Sequence, residues 1–144
     1  MLFHDSLDFA LSLSSWSMIA TGILTFVVCL FIPAPYGRYS TAKGWGPLLD
    51  ARFCWVLMES PNLWMPIVVY ILVPREDQVI MTLPSCLLLF MYCLHYVNRA
   101  IVYPLRMGTD SSPMPVSVML LAFSYCCWNG FTQSVSLLVV TSYP

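Results

Sequence analysis

The chain has 144 residues, of which 59% are hydrophobic and 9% are charged, and its formal net charge is −1. Average soluble domains carry roughly 25% charged residues, so this composition excludes an ordinary soluble domain and indicates an integral membrane protein. The sequence contains no cluster of lysine and arginine, and we therefore expect no nucleic acid as a partner.

Four apolar stretches are long enough to cross a bilayer, which takes about 20 residues of helix. They run from Leu7 to Ile32, from Ala51 to Val73, from Val79 to Tyr103 and from Pro115 to Val140. We therefore predict an all-α fold, a polytopic membrane helix bundle with four transmembrane helices.

Charges in the connections predict how these helices are oriented. The first and third connections, with their flanks, hold most of the positive charges: Arg38, Lys43, Arg52, Arg99 and Arg106. The N-terminus and the tight second connection hold only Arg75. Because positive residues near the ends of spans favour the cytosol, we expect the first and third connections on the cytosolic side.

The third stretch carries a charge inside an apolar helix. Arg99 is its only formally charged residue, and on a helical wheel Tyr92, Tyr96, Arg99 and Tyr103 lie within about 60° of one another. Lipid would leave the donors of such a stripe unpaired. We therefore expect this face to contact other protein, a cavity or a ligand.

The second stretch carries the other intramembrane charge, Glu59. Trp55, Glu59 and Asn62 share one face at helical spacing. Pro61 removes a backbone donor and can kink the helix, so we expect an upstream carbonyl to be left free to line a cavity.

The two remaining stretches also show polar stripes. In the fourth, Gln133 lies beside a stripe formed by Tyr125, Asn129, Thr132 and Ser136. In the first, the stripe consists of Ser14, Ser17, Thr21 and Thr25, which we interpret as helix packing through small residues. Four helices with one polar face each predict a bundle around a shared interior.

Two interpretations of the charged residues remain open at this stage. Glu59 and the phenol of Tyr96, on different helices, form a pair of donors suited to polarising a carbonyl, because a buried carboxyl can keep its proton. Alternatively, Glu59 pairs with Arg99 and holds two helices together. His95 is interpreted as an interhelical histidine, and since no second ligand stands at metal-binding spacing around it, we expect no metal.

Read together, these motifs resemble the N-terminal part of the steroid 5α-reductase family (3-oxo-5α-steroid 4-dehydrogenase). The matches occur in the family's order over essentially the whole chain: Tyr36, Gly37, Arg38; Trp55 with Glu59, Ser60, Pro61; Leu94, His95, Tyr96, Arg99; Tyr103, Pro104; Pro113, Met114, Pro115; and Cys126 to Gly130 with Gln133.

The resemblance implies a seven-helix protein of the endoplasmic reticulum membrane that transfers hydride from NADPH to C5 of a 3-oxo-Δ4-steroid and adds a proton at C4. It implies that Glu59 and Tyr96 hydrogen-bond the C3 carbonyl. Four further residues are expected to bind the substrate, a steroid or sterol-like lipid: Trp55, Tyr92, Arg99 and Tyr125. Asn129, Gly130 and Gln133 are expected to bind the cofactor.

This sequence departs from the family pattern at two positions, with Met58 where a glutamine is common and Asn98 where a second histidine is common. The family's last three helices, which supply most NADPH contacts, would begin just after Tyr143 and Pro144. We therefore expect the 144-residue chain to be inactive or nearly so alone, and to be able to pair with a full-length reductase. The alternatives are a polyprenol or enoyl-CoA reductase of the same superfamily, or a non-catalytic membrane binding or regulatory protein.

Overall fold

The computed structural model describes residues 2–32, 44–108 and 110–142, and most of them are helical. The α-helices are α1 (Leu2–Cys29), α2 (Ala51–Glu59), α3 (Pro61–Leu72), α4 (Leu83–Val97), α5 (Tyr103–Arg106) and α6 (Val116–Val135). Two π-helical segments, Asn98–Val102 and Ser136–Val140, continue α4 and α6, and a 3-10 turn covers Arg75–Asp77. The predicted all-α membrane bundle is confirmed in this architecture.

Three helical segments of the described chain are long and apolar enough to cross a membrane: Asp5–Cys29, Ala51–Leu72 and Leu83–Arg106. The fourth predicted span forms a helix, α6, but does not meet the same criterion of length and hydropathy. Polar residues such as Asn129, Thr132 and Gln133 lower its apolar character, and α6 packs against α3 and α2. A helix whose neighbours are protein rather than lipid can carry such residues.

The helix boundaries differ from the predicted ones by up to five residues, since the first helix begins at Leu2 rather than Leu7 and the third segment extends to Arg106. The first helix ends at Cys29 rather than Ile32, and the third begins at Leu83 rather than Val79. The later start has a local cause, because the Thr82 side chain caps the helix by accepting from the backbone N–H of Ser85. The residues before Leu83 are not helical. One of them, Val79, contacts the π-helical continuation of α6, where its N–H donates to the carbonyl of Leu138 at 3.0 Å.

The second helical segment is divided between α2 and α3 at Ser60. Asp50 caps its start, accepting from the N–H of Phe53 at 2.9 Å, and Pro61 at the junction provides no backbone donor. The carbonyl expected to be left free is paired, because the hydroxyl of Ser60 donates to the carbonyl of Leu57 at 2.9 Å. This carbonyl is therefore not free, and Leu57 is not among the residues that line the cavity described below.

A small ladder joins the first and third connections. Leu48 pairs with Pro115 and Leu49 with Met114 in an antiparallel arrangement of two strands, β1 (Leu48–Leu49) and β2 (Met114–Pro115). The N–H of Val116 extends it by donating to the carbonyl of Pro47 at 2.9 Å. The two connections thus lie side by side.

Candidate active site

A cavity of about 940 Å³ lies between α1, α2, α4 with its π-helical continuation, and α6. Its volume is at the upper end of the range of small-molecule sites, about 300–1,000 Å³. Most of its lining is apolar, and the polar groups that could orient a ligand include Glu59, His95, Tyr96, Arg99 and Asn129. An apolar chamber with a few convergent polar groups is suited to a lipid that carries one or two oxygens.

Glu59 and Arg99 form an ion pair on the cavity wall. Oε1 of Glu59 accepts from Nε of Arg99 at 3.0 Å and from Nη2 at 2.5 Å. The glutamate side chain is 7% exposed and the arginine side chain 40%. The helix-pairing interpretation therefore describes the contact correctly, but both residues also line the cavity, so the pair is placed to act on a ligand.

The π-helical segment Asn98–Val102 sets the direction of Arg99. Pro104 follows it and has no N–H to give to an upstream carbonyl, and the N–H of Tyr103 bonds to the carbonyl of Asn98 in the wider π pattern. Such turns occur frequently at functional sites. The guanidinium of Arg99 also lies over the ring of Trp55, 4.8 Å from its centroid, which fixes its position from a second side.

The second oxygen of Glu59 has little to bind. The thiol of Cys126 is 3.8 Å from Oε2, a weak contact for a sulfur donor. Since Arg99 occupies Oε1, Oε2 is the oxygen through which Glu59 can interact with a ligand. Cys126 belongs to the motif that runs to Gly130, but no role for its thiol could be predicted, because all six cysteines occur in apolar segments.

Tyr96 lines the cavity, and its hydroxyl can still donate a hydrogen bond. The amide Nδ2 of Asn129 donates to this hydroxyl at 2.9 Å, and no acceptor for the phenolic proton is found among the residues that the structure describes. A phenol has one proton to donate and can also accept. Tyr96 can therefore donate a hydrogen bond to an oxygen placed in the cavity.

Two predicted substrate residues besides the polar cluster lie where expected. Trp55 and Tyr125 line the cavity, each supported by a second aromatic ring. The ring of Tyr103 lies edge-on to Trp55 with centroids 4.9 Å apart, and Trp128 lies edge-on to Tyr125 at 6.3 Å. These supports restrict the rotamers of the two lining rings.

Tyr92 lies behind the cavity wall and is not among the lining residues. Its ring packs on Tyr96 with centroids 4.8 Å apart, and its hydroxyl donates to Oδ1 of Asn62 at 2.8 Å. The structure thus connects Tyr92 to the site through its neighbours rather than by direct access to a ligand.

The three residues expected to bind cofactor lie in different surroundings. Asn129 lines the cavity and bonds to Tyr96. Gly130 is buried where α6 meets α3, and a Cβ there would come within 3.0 Å of Met65 and 3.1 Å of the carbonyl of Pro61. Gln133 is exposed on α6 and does not line the cavity. Close helix packing is sufficient reason for glycine at position 130.

Sequence reasoning misjudged several other lining residues. His95 was expected to be held between helices, but its side chain is exposed, lines the cavity and lies edge-on to Tyr96 at 5.0 Å. Thr21 and Thr25, interpreted as packing residues, line the cavity as well. Trp45 also lines it and was not singled out, because only the ladder between distant connections brings it there.

The described ranges contain no group of three or more His, Cys, Asp and Glu side chains that could hold a metal ion. The motif residues Tyr36, Gly37 and Arg38 lie outside the described residues, as do Lys43, Tyr143 and Pro144.

Comparison with known proteins identifies several similar proteins. The chain is 36% identical over 124 residues to "Steroid 5-alpha-reductase DET2" of Arabidopsis thaliana, covering 82% of this chain and 45% of that protein. It is 34% identical over 116 residues to "3-oxo-5-alpha-steroid 4-dehydrogenase 1" of Bos taurus, covering 80% of this chain and 44% of that protein. For "3-oxo-5-alpha-steroid 4-dehydrogenase 2" of Rattus norvegicus, the identity is 31% over 121 residues, with coverages of 83% and 46%.

No protein-family model matches the chain. The chain spans about 45% of the length of the Arabidopsis relative and similar shares of the other two. The similarity covers about four fifths of this chain in each of the three comparisons.

Proposed function

This chain belongs to the steroid 5α-reductase family, and we propose on that basis that it forms the steroid pocket of an enzyme that reduces the C4–C5 double bond of 3-oxo-Δ4-steroids. The observation that carries the proposal is the position of Tyr96, which lines the cavity together with Glu59 and Arg99 and whose phenolic proton has no acceptor among the described residues.

A conjugated ketone needs stabilisation at its carbonyl oxygen when a hydride reaches the far end of the double bond. As C5 accepts the hydride, negative charge develops on the C3 oxygen, and the enolate collapses when C4 takes a proton. A preorganised donor aimed at that oxygen lowers the barrier because it does not have to reorient. Tyr96 is that donor in the proposed reaction.

Glu59 and Arg99 set the electrostatics next to this donor. The guanidinium binds Oε1 of Glu59, so Oε2 remains available beside Cys126. A protonated Oε2 would add a second hydrogen bond to the developing enolate. In this role Glu59 touches the substrate, and Arg99 holds it in position.

The apolar part of the cavity would bind the steroid rings. Trp55 and Tyr125 offer flat faces that suit a fused ring system, and both are held by a neighbouring ring. A hydrophobic ligand partitions into the bilayer, so a cavity within the membrane receives it at high local concentration.

NADPH is the hydride donor that the family resemblance implies. The residues described here fit only its reactive end, because Asn129 is the one predicted cofactor residue on the cavity wall and the nearby cation, Arg99, is paired. Diphosphate groups normally need a glycine-rich turn or a cluster of free cations. We therefore assign the phosphate contacts to parts of the enzyme other than these residues.

In the proposed enzyme, α6 with its π-helical end is the fourth transmembrane span and the site lies in the endoplasmic reticulum membrane. Burial of α6 against α2 and α3 supports its passage through the bilayer despite its polar residues. The remaining helices of a seven-helix enzyme would complete the cofactor site.

The test is a substrate panel with the complete open reading frame that contains these residues, produced in membranes and supplied with NADPH. We expect one 5α-reduced steroid formed per NADPH oxidised with a 3-oxo-Δ4-steroid, and no turnover with an enoyl-CoA or a polyprenol. Turnover of either of those two substrates instead, or steroid binding without NADPH oxidation, would contradict the proposal.

A further inference from the structure

We propose that Asn129 is a positioning residue for the Tyr96 hydroxyl, and that Asn62 and Tyr92 hold Asn129 in the orientation this requires. The inference rests on the proposed function, since it concerns the proton that Tyr96 offers to the steroid carbonyl. It gives Asn129 a role toward Tyr96 in addition to the position near the reactive end of NADPH proposed above.

The hydrogen bonds form one continuous chain across three helices. Nδ2 of Asn129, on α6, donates to the Tyr96 hydroxyl on α4 at 2.9 Å. The same nitrogen donates to Oδ1 of Asn62, on α3, at 2.8 Å. The hydroxyl of Tyr92, one turn before Tyr96, donates to that same Oδ1 at 2.8 Å.

This arrangement determines which way the phenolic proton points. Because Asn129 donates to the Tyr96 oxygen, the hydroxyl must direct its own proton elsewhere, and the cavity is the open side. If the Asn129 amide were turned over, its carbonyl oxygen would accept that proton and withdraw it from the cavity. Oδ1 of Asn62 accepts from the Asn129 NH2 group and so holds it toward Tyr96. The hydrogen bond from Tyr92 to the same Oδ1 keeps that oxygen in place.

The burial of Asn62 indicates that this position needs the side-chain oxygen as a hydrogen-bond acceptor. Asn62 is 0% exposed, and its Nδ2 has no nitrogen or oxygen acceptor in the described part of the chain, with only the weakly accepting sulfur of Cys126 beside it. Burying an amide nitrogen without a strong acceptor lowers the stability of a fold. An apolar side chain would avoid that cost, but it would leave Asn129 and Tyr92 without their common acceptor.

The experiment measures the C3 carbonyl directly. The full chain is placed in lipid nanodiscs, and infrared difference spectra are recorded for a bound 3-oxo-Δ4-steroid carrying ¹³C at C3. Wild-type protein is expected to lower the carbonyl stretching frequency relative to the same steroid in protein-free nanodiscs, as a hydrogen-bonded carbonyl does. This measurement needs no NADPH and no turnover.

Asn129→Asp is the decisive variant, because it keeps the size of the side chain but replaces the donor with an acceptor that takes the phenolic proton. We expect the Asn129→Asp protein to bind the steroid still, and the carbonyl frequency of the bound steroid to return to the value measured in lipid. Asn98→Asp is the matched control, since Asn98 is exposed and outside the hydrogen-bond chain, and it should keep the wild-type shift.

The outcomes separate the two claims. If wild-type protein shows no shift, the proposed function itself fails. If wild type shows the shift and Asn129→Asp keeps it, the carbonyl is polarised but Asn129 does not position the donor. If Asn129→Asp fails to fold, Tyr92→Phe is measured in its place. This substitution removes one of the two donors to Oδ1 of Asn62, so we expect a smaller shift of the carbonyl frequency. An unchanged shift would overturn the inference.

Discussion

At the scale of single residues, Tyr96 carries the chemistry proposed here. Replacing Tyr96 with phenylalanine removes the donor and keeps the ring, so we expect kcat of the complete enzyme to fall by about 10²- to 10³-fold, as for loss of one oxyanion donor. KM for the steroid should change much less, because the rings still bind.

Tyr103→Phe is the control for this substitution. Tyr103 follows the same helical segment and contacts Trp55 through its ring, so its hydroxyl is not needed for that contact. Steady-state kinetics should show wild-type kcat for this variant. A Tyr96→Phe enzyme with equally unchanged kcat would remove Tyr96 from the mechanism.

The Glu59–Arg99 pair gives a second prediction at this scale. In a double-mutant cycle with Glu59→Gln and Arg99→Gln, we expect a favourable coupling of about 1–2 kcal/mol in the free energy of unfolding in detergent. The value should be lower than for a fully buried pair because the Arg99 side chain is 40% exposed. Additive effects of the two substitutions would show that the contact contributes nothing to stability.

The importance of these residues could be predicted from sequence for a physical reason. An ionisable group in an apolar helix needs a partner or a cavity, so the sequence alone indicates that Glu59 and Arg99 belong to a site. The partners of Tyr96 could not be predicted, because asparagines such as Asn62 and Asn129 are compatible with many surroundings. The position of Trp45 on the cavity wall could not be predicted either, because it depends on strand pairing between residues far apart in the chain.

At the scale of helices, the contact between α3 and α6 depends on Gly130. A Cβ at this position would lie 3.0 Å from Cβ of Met65 and 3.1 Å from the carbonyl oxygen of Pro61. Neither atom can move without shifting a helix backbone, so Gly130→Ala should destabilise the protein by about 1–3 kcal/mol. Thermal unfolding in detergent measures the change.

Gly22→Ala is the matched control, because a Cβ at that position meets nothing within 4 Å. Alanine is the better helix former by about 1 kcal/mol, so Gly22→Ala should leave the stability unchanged or raise it. Equal losses at both glycines would contradict the packing role assigned to Gly130.

The first helix is joined to α6 by a polar contact. The hydroxyl of Ser14 accepts from Nε1 of Trp128 at 2.5 Å and lies 2.6 Å from the hydroxyl of Thr132. Ser14→Ala removes the common partner of both groups, so we expect a loss of stability of about 1–2 kcal/mol. Ser15→Ala should cost less than about 0.5 kcal/mol, because among the described residues the Ser15 hydroxyl bonds only within α1, to the carbonyl of Leu11.

Helix boundaries show where local sequence signals end. Hydropathy located all four helical stretches. It did not indicate that Thr82 caps the third one, so that this helix begins at Leu83. Nor did it indicate the π-helical segment that directs Arg99, because both details depend on hydrogen bonds of individual residues. The polar stripe of α1 was divided in the structure: Ser14 packs against α6, whereas Thr21 and Thr25 line the cavity.

At the scale of the whole molecule, helices α1, α2, α4 and α6 each contribute at least one polar residue to the wall of the described cavity, as expected for a shared interior. Composition alone indicated the membrane bundle, and the stripes on four helices indicated the shared interior. The size of the chamber, about 940 Å³, could not be predicted, because it depends on the gap that α1 leaves beside α4 and α6.

The central claim is that this cavity binds a 3-oxo-Δ4-steroid through its C3 oxygen, and the most direct test is the affinity of the chain in lipid nanodiscs for that steroid and for an analogue without the oxygen. We expect saturable binding, at least about tenfold weaker for the analogue, and loss of this difference in Tyr96→Phe. Equal affinity for the two compounds, or no saturable binding of either, would contradict the account.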